Sequence, residues 1–430
     1  MRLKPRIWLA AGTMALLGMA WAAEQRFPKP DFESGYNFPQ YQHAAPAPWF
    51  YEFLDAAVLL GALSLGTYFV LKKRTRRGML GLTIFSLLYF GFYKQGCICA
   101  IGAIQNMSLA LFDPEYAVSY GTLIVFLAPL FFALLFGRIY CGGVCPLGAI
   151  QDLFALKPIA VPRWIDRALG VFPYIYLGAA VLFAATRADF IICRFDPFVP
   201  LFRLTGHWQT LWLGAGFLLV GVFIARPYCR YFCPYGVLLG WMSRLSKWHM
   251  SIAPERCTLC RLCENSCPFG AINTPTQPPR EPRAHGVRRL AMLFALIPAL
   301  LIGGGAIGWF AGGPLSRAHR TVALAERVAV EDAGWVEGST NASDAFRMSG
   351  ATKQELLADA RSLRQAFRIG GAGAGAFAGL AFGLLILGSS VHRTRDEYNV
   401  DRATCFSCAR CIPYCPEDPS SKILQEKQCL

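Results

Sequence analysis

"CTLCRLCENSCP", from Cys257 to Pro268, and "CFSCARCIPYCP", from Cys405 to Pro416, share one spacing, C-x2-C-x2-C-x3-C-P. In this pattern three close cysteines wrap one iron–sulfur cubane, while the fourth, ahead of a proline, reaches across to a second. The spacing therefore assigns Cys257, Cys260, Cys263 and Cys415 to one 4Fe-4S cluster, and Cys405, Cys408, Cys411 and Cys267 to another. C-x2-C also suits zinc, but zinc requires neither a third cysteine at the same interval nor a closing Cys-Pro. Cross-ligation has a structural consequence: residues 251–287 and 391–430 must fold together as one small α+β domain, with 288–390 inserted between its halves.

The rest of the chain is oily. Of 430 residues 54% are hydrophobic and only 16% charged, so a single soluble core fits poorly and an all-α integral membrane protein fits well. The net charge of +15 sits beside apolar segments rather than along an aromatic-studded polar surface. That is the signature of cytoplasmic membrane loops, and it argues against nucleic acid.

Residues 1–23 have a basic start, an apolar stretch and a small-x-small end, the layout of a signal peptide or an anchor. Residues 24–48 follow as a periplasmic segment. Seven apolar stretches, near 49–71, 78–96, 119–140, 169–187, 208–226, 288–312 and 368–390, approach the roughly 20 residues needed to cross a bilayer. "KKRTRR" at 72–77 holds five basic residues and the loop 97–119 holds none, so the first loop is expected in the cytoplasm and the second outside. Alternation then gives a core over 49–250 and a hairpin over 288–390 with a periplasmic loop at 313–367. It puts both ferredoxin runs on the cytoplasmic side of a bacterial inner membrane, where thiolates stay reduced.

The core has its own cysteines. "YCGGVCP" and "YCRYFCP" place Cys141 with Cys145 and Cys229 with Cys233, each pair on one face of a helical turn. Four such thiolates suit one iron or zinc ion or a cluster; helix packing or reversible disulfides are the alternative. Cys97, Cys99 and Cys193 are expected at the opposite face, as a disulfide plus a thiol or as a three-thiolate metal site, and Cys429 belongs to no pattern. The strings also repeat: "RPYCRYFCPYG" at 226–236 echoes "GRIYCGGVCPLG" at 137–148, and "CAIGAIQN" at 99–106 echoes "CPLGAIQD" at 145–152. A membrane core grown by duplication is one reading of the echoes, and shared constraint at helix ends is the other.

"SGAT" at Ser349–Thr352 matches the core of a motif that attaches flavin mononucleotide to Thr, but Phe346 stands where that motif has an acid. Thr352 with Glu355 reads better as a capping box for a following helix, which disfavours FMN. Glu52 and Asp55 near the outer end of the first span could take protons from a quinol or simply sit at the headgroup level. His43, His207 and His319 form no facing pairs within spans, against b-type haem.

Taken jointly, "YCGGVCPLGAIQD", "YCRYFCPYG", "GCICAIGAIQN" and the two ferredoxin runs resemble the NosR/NapH family of membrane polyferredoxins, from about residue 50 to 420. The resemblance is to the transmembrane and 4Fe-4S half of NosR, without its N-terminal periplasmic FMN-binding domain. It implies one-electron relay in anaerobic respiration between the quinone pool or cytoplasmic donors and a periplasmic reductase, cytochrome or cupredoxin carrier, as in nitrous-oxide-reductase systems. It also implies the eight ferredoxin cysteines as cluster ligands. Quinol oxidation by the chain itself stays open, and the competing class is an assembly or regulatory factor that supplies electrons for maturing a periplasmic metalloenzyme.

Overall fold

The computed structural model describes residues 49–96, 98–159, 161–252, 257–276, 283–391 and 394–416. The expected signal or anchor, the segment 24–48, Cys97, His43 and Cys429 lie outside the described residues. The chain divides into two compact units, one of Ala47–His319 with Leu363–Leu430 and one that includes Arg320–Ser362.

In the larger unit, helices alternate with short cysteine-bearing turns. Among the described residues four helices are long and apolar enough to cross a membrane: Phe50–Lys72, Trp164–Ala185, His285–Ala318 and Lys353–Gly388. Three of the seven expected spans are shorter or uneven. Tyr120–Phe136 ends where Gly137 turns to φ 82°, and Trp208–Gly221 stops just before the second C-x3-C-P turn. Residues 76–93 form a helix that widens into π turns from Leu87 to Tyr93. In each case the regular helix gives way where the chain approaches a cysteine turn.

The stretch expected to be an external loop after Cys97 is instead a buried helix. Ala100–Phe112 is apolar, 13 residues long and too short to cross a bilayer; it packs against the Phe172–Ala185 and Tyr120–Phe136 helices. Its lack of Lys and Arg, read as loop character, is what lets it enter a protein interior. Pro146–Phe154 is a second short helix of the same sort, packed on Trp208–Gly221 and Pro227–Tyr231.

The hairpin is held by glycines. Gly304, Gly308 and Gly312 on one helix face Gly371, Gly375 and Gly379 on the other, at four-residue spacing on both. A Cβ on Gly308 would run into the carbonyl oxygen of Gly371, and one on Gly375 into that of Gly304. Only hydrogen in those positions allows the backbones to approach this closely, the packing mode that small residues at intervals of four give membrane helices.

Beyond the hairpin the chain returns to the ferredoxin segment. β1 (Ile272–Asn273) pairs antiparallel with β2 (Asn399–Val400), with Ile272 opposite Val400. Thr276 bridges Arg395, and the Asp401 N–H donates to the Ala271 carbonyl at 2.8 Å. Ile252, Cys263, Ile272, Tyr398 and Val400 form a small core from both sides of the insertion.

The smaller unit is built around one carboxylate. Glu331, in the helix Arg320–Asp332, receives Arg327 at 2.7 Å, Arg347 at 2.9 Å and the Ser343 hydroxyl at 3.0 Å. Thr352 and Glu355 exchange backbone and side-chain hydrogen bonds at the start of Lys353–Ser390, the capping box read from the sequence.

Replacing Gly308 with Leu should wedge the hairpin apart. Overpacking of this sort costs about 1–3 kcal/mol, seen as a lower melting temperature of the detergent-extracted protein; an unchanged melting temperature would mean the glycine contact carries no load.

Candidate iron–sulfur centres

The two ferredoxin runs enclose two cavities. Cys257, Cys260 and Cys263 line the first together with Cys415, Tyr398 and Ile252. Cys405, Cys408 and Cys411 line the second together with Cys267, Met250 and Val400. Each cavity thus draws three cysteines from one run and one from the other.

The runs share little sequence beyond cysteine and proline, yet they share a backbone. Leu259 and Arg261, on either side of Cys260, have φ of 54° and 63°; Ser407 and Ala409, on either side of Cys408, have 51° and 58°. Left-handed conformation costs a non-glycine residue roughly 1–2 kcal/mol. Such turns are how backbone N–H groups come to face anionic groups and Fe–S sites, and here the Ser407 N–H donates to Cys405 Sγ at 3.4 Å. Burial pushes the Cys263 thiol up to about 11 and Cys405 to about 12. Metal loading at these positions must therefore drive proton release.

A third group of cysteines lies directly beneath the second cavity. Cys141, Cys145, Cys229 and Cys233 are close enough to interact electrostatically as one quartet. The two members of a pair are not on one helical face, as the spacing suggested. Cys141 and Cys229 lie in short helical turns, while Cys145 and Cys233 are extended residues capping the next helix. The following prolines dictate this, since the residue before proline is pushed out of the helical region. Gln151 fixes the second turn: its Oε1 accepts the Tyr228 N–H at 3.0 Å and its Nε2 donates to Cys229 Sγ at 3.2 Å.

The ferredoxin segment rests on this quartet through backbone contact. A Cβ on Gly142 would meet the carbonyl oxygens of Phe406 at 2.6 Å and Ser407 at 2.8 Å, so "CGGVC" needs glycine at its centre. The Arg138 guanidinium donates to the Ala403 carbonyl at 2.9 Å and lies 4.5 Å over the Phe406 ring. Arg230 reaches the Pro268 carbonyl at 3.4 Å, and the Ser243 hydroxyl donates to the Arg402 carbonyl at 2.6 Å.

Asp152 joins all of these pieces. Its carboxylate is 3% exposed and pairs with Arg76 at 3.0 Å, Arg410 at 3.0 Å and the fully buried Arg226 at 3.2 Å. Arg226 also donates to the carbonyls of Cys141 and Gly142, and Arg76 to that of Cys408 at 2.7 Å. Burial alone would raise the pKa of Asp152; the guanidiniums, Arg226 first, reverse this and hold the carboxyl well below the usual carboxylate range.

Cys99 and Cys193 form a separate group. They line a cavity of about 470 Å³ with Glu52, Asp55, Asp196 and Arg203. Neither is in a disulfide. Asp55 is held by Lys94 at 2.9 Å and by the Tyr89 hydroxyl at 2.9 Å. The Tyr140 and Tyr235 rings, 5.9 Å apart, lie within electrostatic reach of both Cys99 and the C-x3-C-P quartet. His207 precedes the Trp208–Gly221 helix and His319 follows Ala318; neither lines these cavities.

Among the described residues no set of three or more His, Cys, Asp or Glu is disposed to hold a single metal ion. That is true of the ferredoxin quartets as well. Thiolates around one ion of zinc's size stand within about 4 Å of each other, given a metal–sulfur distance of about 2.3 Å. A polynuclear cluster takes four thiolates, and each cavity offers four, three from one run and one from the other.

These features define a helical membrane protein with iron–sulfur centres, and comparison with known proteins agrees. Residues 118–171 and 207–252, which contain the C-x3-C-P cysteines, match a 4Fe-4S binding domain family, and residues 250–273, which contain the first ferredoxin run, match another so described. Protein NirI of Paracoccus denitrificans is 31% identical over 235 residues, 51% of this chain and 34% of that protein. Regulatory protein NosR of Stutzerimonas stutzeri is 25% identical over 254 residues, 52% of this chain and 34% of that protein. The methylamine utilization ferredoxin-type protein MauN of Methylorubrum extorquens is 28% identical over 182 residues, 40% of this chain and 61% of that protein. The match thus spans about a third of the length of NirI and NosR. No solved structure matches the chain. The relatives and domains support a NosR/NapH-like polyferredoxin family, and iron–sulfur electron transfer is consistent with them.

Asp152→Asn preserves volume and removes the charge that Arg226 needs. Leaving a buried ion unpaired costs about 3–5 kcal/mol, so this variant should melt well below the wild type and shed its ferredoxin segment to protease first. Because the folded-state pKa is depressed, the stabilisation is complete above the ordinary value of about 3.9 and is lost only as pH falls below it. Lowering the pH from 7 to 5 should leave docking unchanged; loss of docking in that interval would place the critical charge elsewhere.

Proposed function

We propose that the chain is an electron relay of a bacterial inner membrane, passing single electrons between the quinone pool or cytoplasmic donors and a periplasmic reductase or carrier. Bound 4Fe-4S clusters would supply the one-electron chemistry. Cys257, Cys260, Cys263 and Cys415 would hold one cluster, Cys405, Cys408, Cys411 and Cys267 the second, with the ferredoxin domain on the cytoplasmic side. Cys141, Cys145, Cys229 and Cys233 would hold a further centre within the membrane core.

The observation that carries this reading is contiguity. The Phe406–Ser407 backbone sits on Gly142, and Phe269 and Phe406 pack with Cys141 and Cys229 on one side and Cys267, Cys405 and Cys408 on the other, so the C-x3-C-P quartet and the second ferredoxin cavity share one apolar contact. Arg138 and Arg226 place positive charge on the Phe406 ring in that seam, where a thiolate-bound cluster would be anionic. The cavity lined by Glu52 and Asp55 offers carboxylates for quinol protons beyond the quartet.

A second reading, an assembly or regulatory factor for a periplasmic metalloenzyme, is favoured by the name "regulatory protein" borne by NosR. Turnover separates the two. A relay reduced by a quinol analogue shows EPR-active clusters that reoxidise within seconds on adding a periplasmic carrier; clusters inert to every quinol and carrier would exclude relay.

Cross-ligation has its own test in Cys415→Ala. This variant should lose the EPR signal of the centre on Cys257, Cys260 and Cys263 while keeping that of its neighbour. Loss confined to the centre on Cys405, Cys408 and Cys411 would reverse the assignment.

A further inference from the structure

The C-x3-C-P quartet has a counterpart across Tyr140 and Tyr235. "CAIGAIQ" at Cys99–Gln105 and "CPLGAIQ" at Cys145–Gln151 both open a short helix with the cysteine as its N-cap. Their glutamines do the same work. Gln151 Oε1 accepts the N–H of Tyr228, the residue before Cys229, at 3.0 Å; Gln105 Oε1 accepts the N–H of Ile192, the residue before Cys193, at 2.5 Å. Cys193 therefore stands to Cys99 as Cys229 stands to Cys145.

The correspondence continues down the chain. "CRYFCP" at 229–234 ends in Cys233-Pro234, and "CRFDP" at 193–197 ends in Asp196-Pro197, one residue shorter. An aspartate occupies the place of the fourth cysteine. Asp196 is 2% exposed, lines the same cavity as Cys99 and Cys193, and is fixed by the N–H groups of Phe198 and Val199 on Oδ1 at 2.8 and 3.0 Å.

We propose that Cys99, Cys193 and Asp196 hold a second iron–sulfur cluster in the membrane core, the counterpart of the centre on Cys141, Cys145, Cys229 and Cys233. Two observations point to a ligand there, one in the cavity and one behind it on Gln105, whose Oε1 holds the cavity-lining Ile192. A Cβ on Gly102 would meet Cys193 Sγ at 3.2 Å and Cys99 Sγ at 4.0 Å, so glycine leaves both sulfurs turned about one space. Gln105 is fully buried, yet its Nε2 has no hydrogen-bond partner. In the equivalent glutamine that nitrogen donates to Cys229 Sγ. A buried amide donor left unpaired costs roughly 1–3 kcal/mol, and an anionic sulfide or thiolate of a cluster is the acceptor the repeat provides for it. Carboxylate is a harder donor than thiolate, and a set of two thiolates and one carboxylate would make the irons of the cluster inequivalent. As with the other cysteine sets, the three residues are not disposed around a single ion.

The proposal rests on reading the C-x3-C-P quartet as a cluster site, so the experiment treats the two separately. Iron, acid-labile sulfide, zinc and copper are measured on full-length protein purified anaerobically in detergent, with EPR after dithionite reduction. Cys193→Ala and Cys99→Ala should each remove about one cluster's iron and sulfide and leave the ferredoxin signals unchanged. Cys229→Ala should remove a different signal. Asp196→Cys should keep the iron and move the g values of the lost-in-Cys193→Ala signal, and Asp196→Asn, the mildest change, should weaken it without altering the melting temperature. Unchanged iron, sulfide and EPR in the Cys99→Ala/Cys193→Ala double variant would overturn the proposal while leaving the Cys229 result intact. Zinc or copper in place of iron, or recovery of Cys99 and Cys193 as a disulfide by mass spectrometry, would overturn it too. If Cys229→Ala is also silent, it is the reading of the quartet that has failed.

Discussion

Three guanidiniums on one buried carboxylate tie this molecule together. Asp152 comes from the helix that follows the first C-x3-C-P turn, Arg76 from the basic stretch after the first span, Arg226 from the second C-x3-C-P turn and Arg410 from the second ferredoxin run. Removing a charge from water is expensive, and mutual attraction offsets it only where geometry is good and the remaining donors are satisfied. Here Arg226 spends its other donors on the carbonyls of Cys141 and Gly142, and Arg76 on that of Cys408. The same cations that neutralise Asp152 therefore fix the backbone on both sides of the seam between membrane core and ferredoxin segment.

One local motif recurs in the core. Short buried helices opened by cysteine recur at Ala100–Phe112 and Pro146–Phe154, each pinned by a glutamine to the turn that carries the next cysteine. Interrupted helices at membrane depth are tolerated where they are buried in protein, because side chains can satisfy the freed backbone groups. Gln105 and Gln151 are those side chains. Where the copies differ, the differences follow their surroundings: Asp152 faces three arginines, whereas Asn106 at the matching position accepts a hydrogen bond from Tyr116.

What could be read from the sequence was what spacing alone fixes. Cubane geometry demands cysteines at set intervals, so the grouping of Cys415 with Cys257 and of Cys267 with Cys405 was open to inspection. The echo containing Gln105 and Gln151 was visible too, though not the use to which either glutamine is put. The buried helix Ala100–Phe112 was not, because an uncharged apolar stretch of that length reads equally as loop or interior. Leu259, Arg261, Ser407 and Ala409 gave no sign of left-handed backbone, since the usual marker is glycine. Asp152 and its arginines lie in four separate strings, and long-range charge pairing leaves no local pattern.

The hairpin of close-packed glycine helices also sets an order of events during synthesis. Each ferredoxin cavity has cysteines both before and after it in the chain, three on one side and one on the other, so neither cavity is complete while the ribosome is still making the second helix. Cysteines 257 to 267 must wait, exposed and unpaired, until both helices have entered the bilayer and brought the last run back to them. Completion of either cysteine set therefore depends on completion of the hairpin, and a chain stalled there would keep Cys257, Cys260, Cys263 and Cys267 apart from the cysteines that complete their cavities.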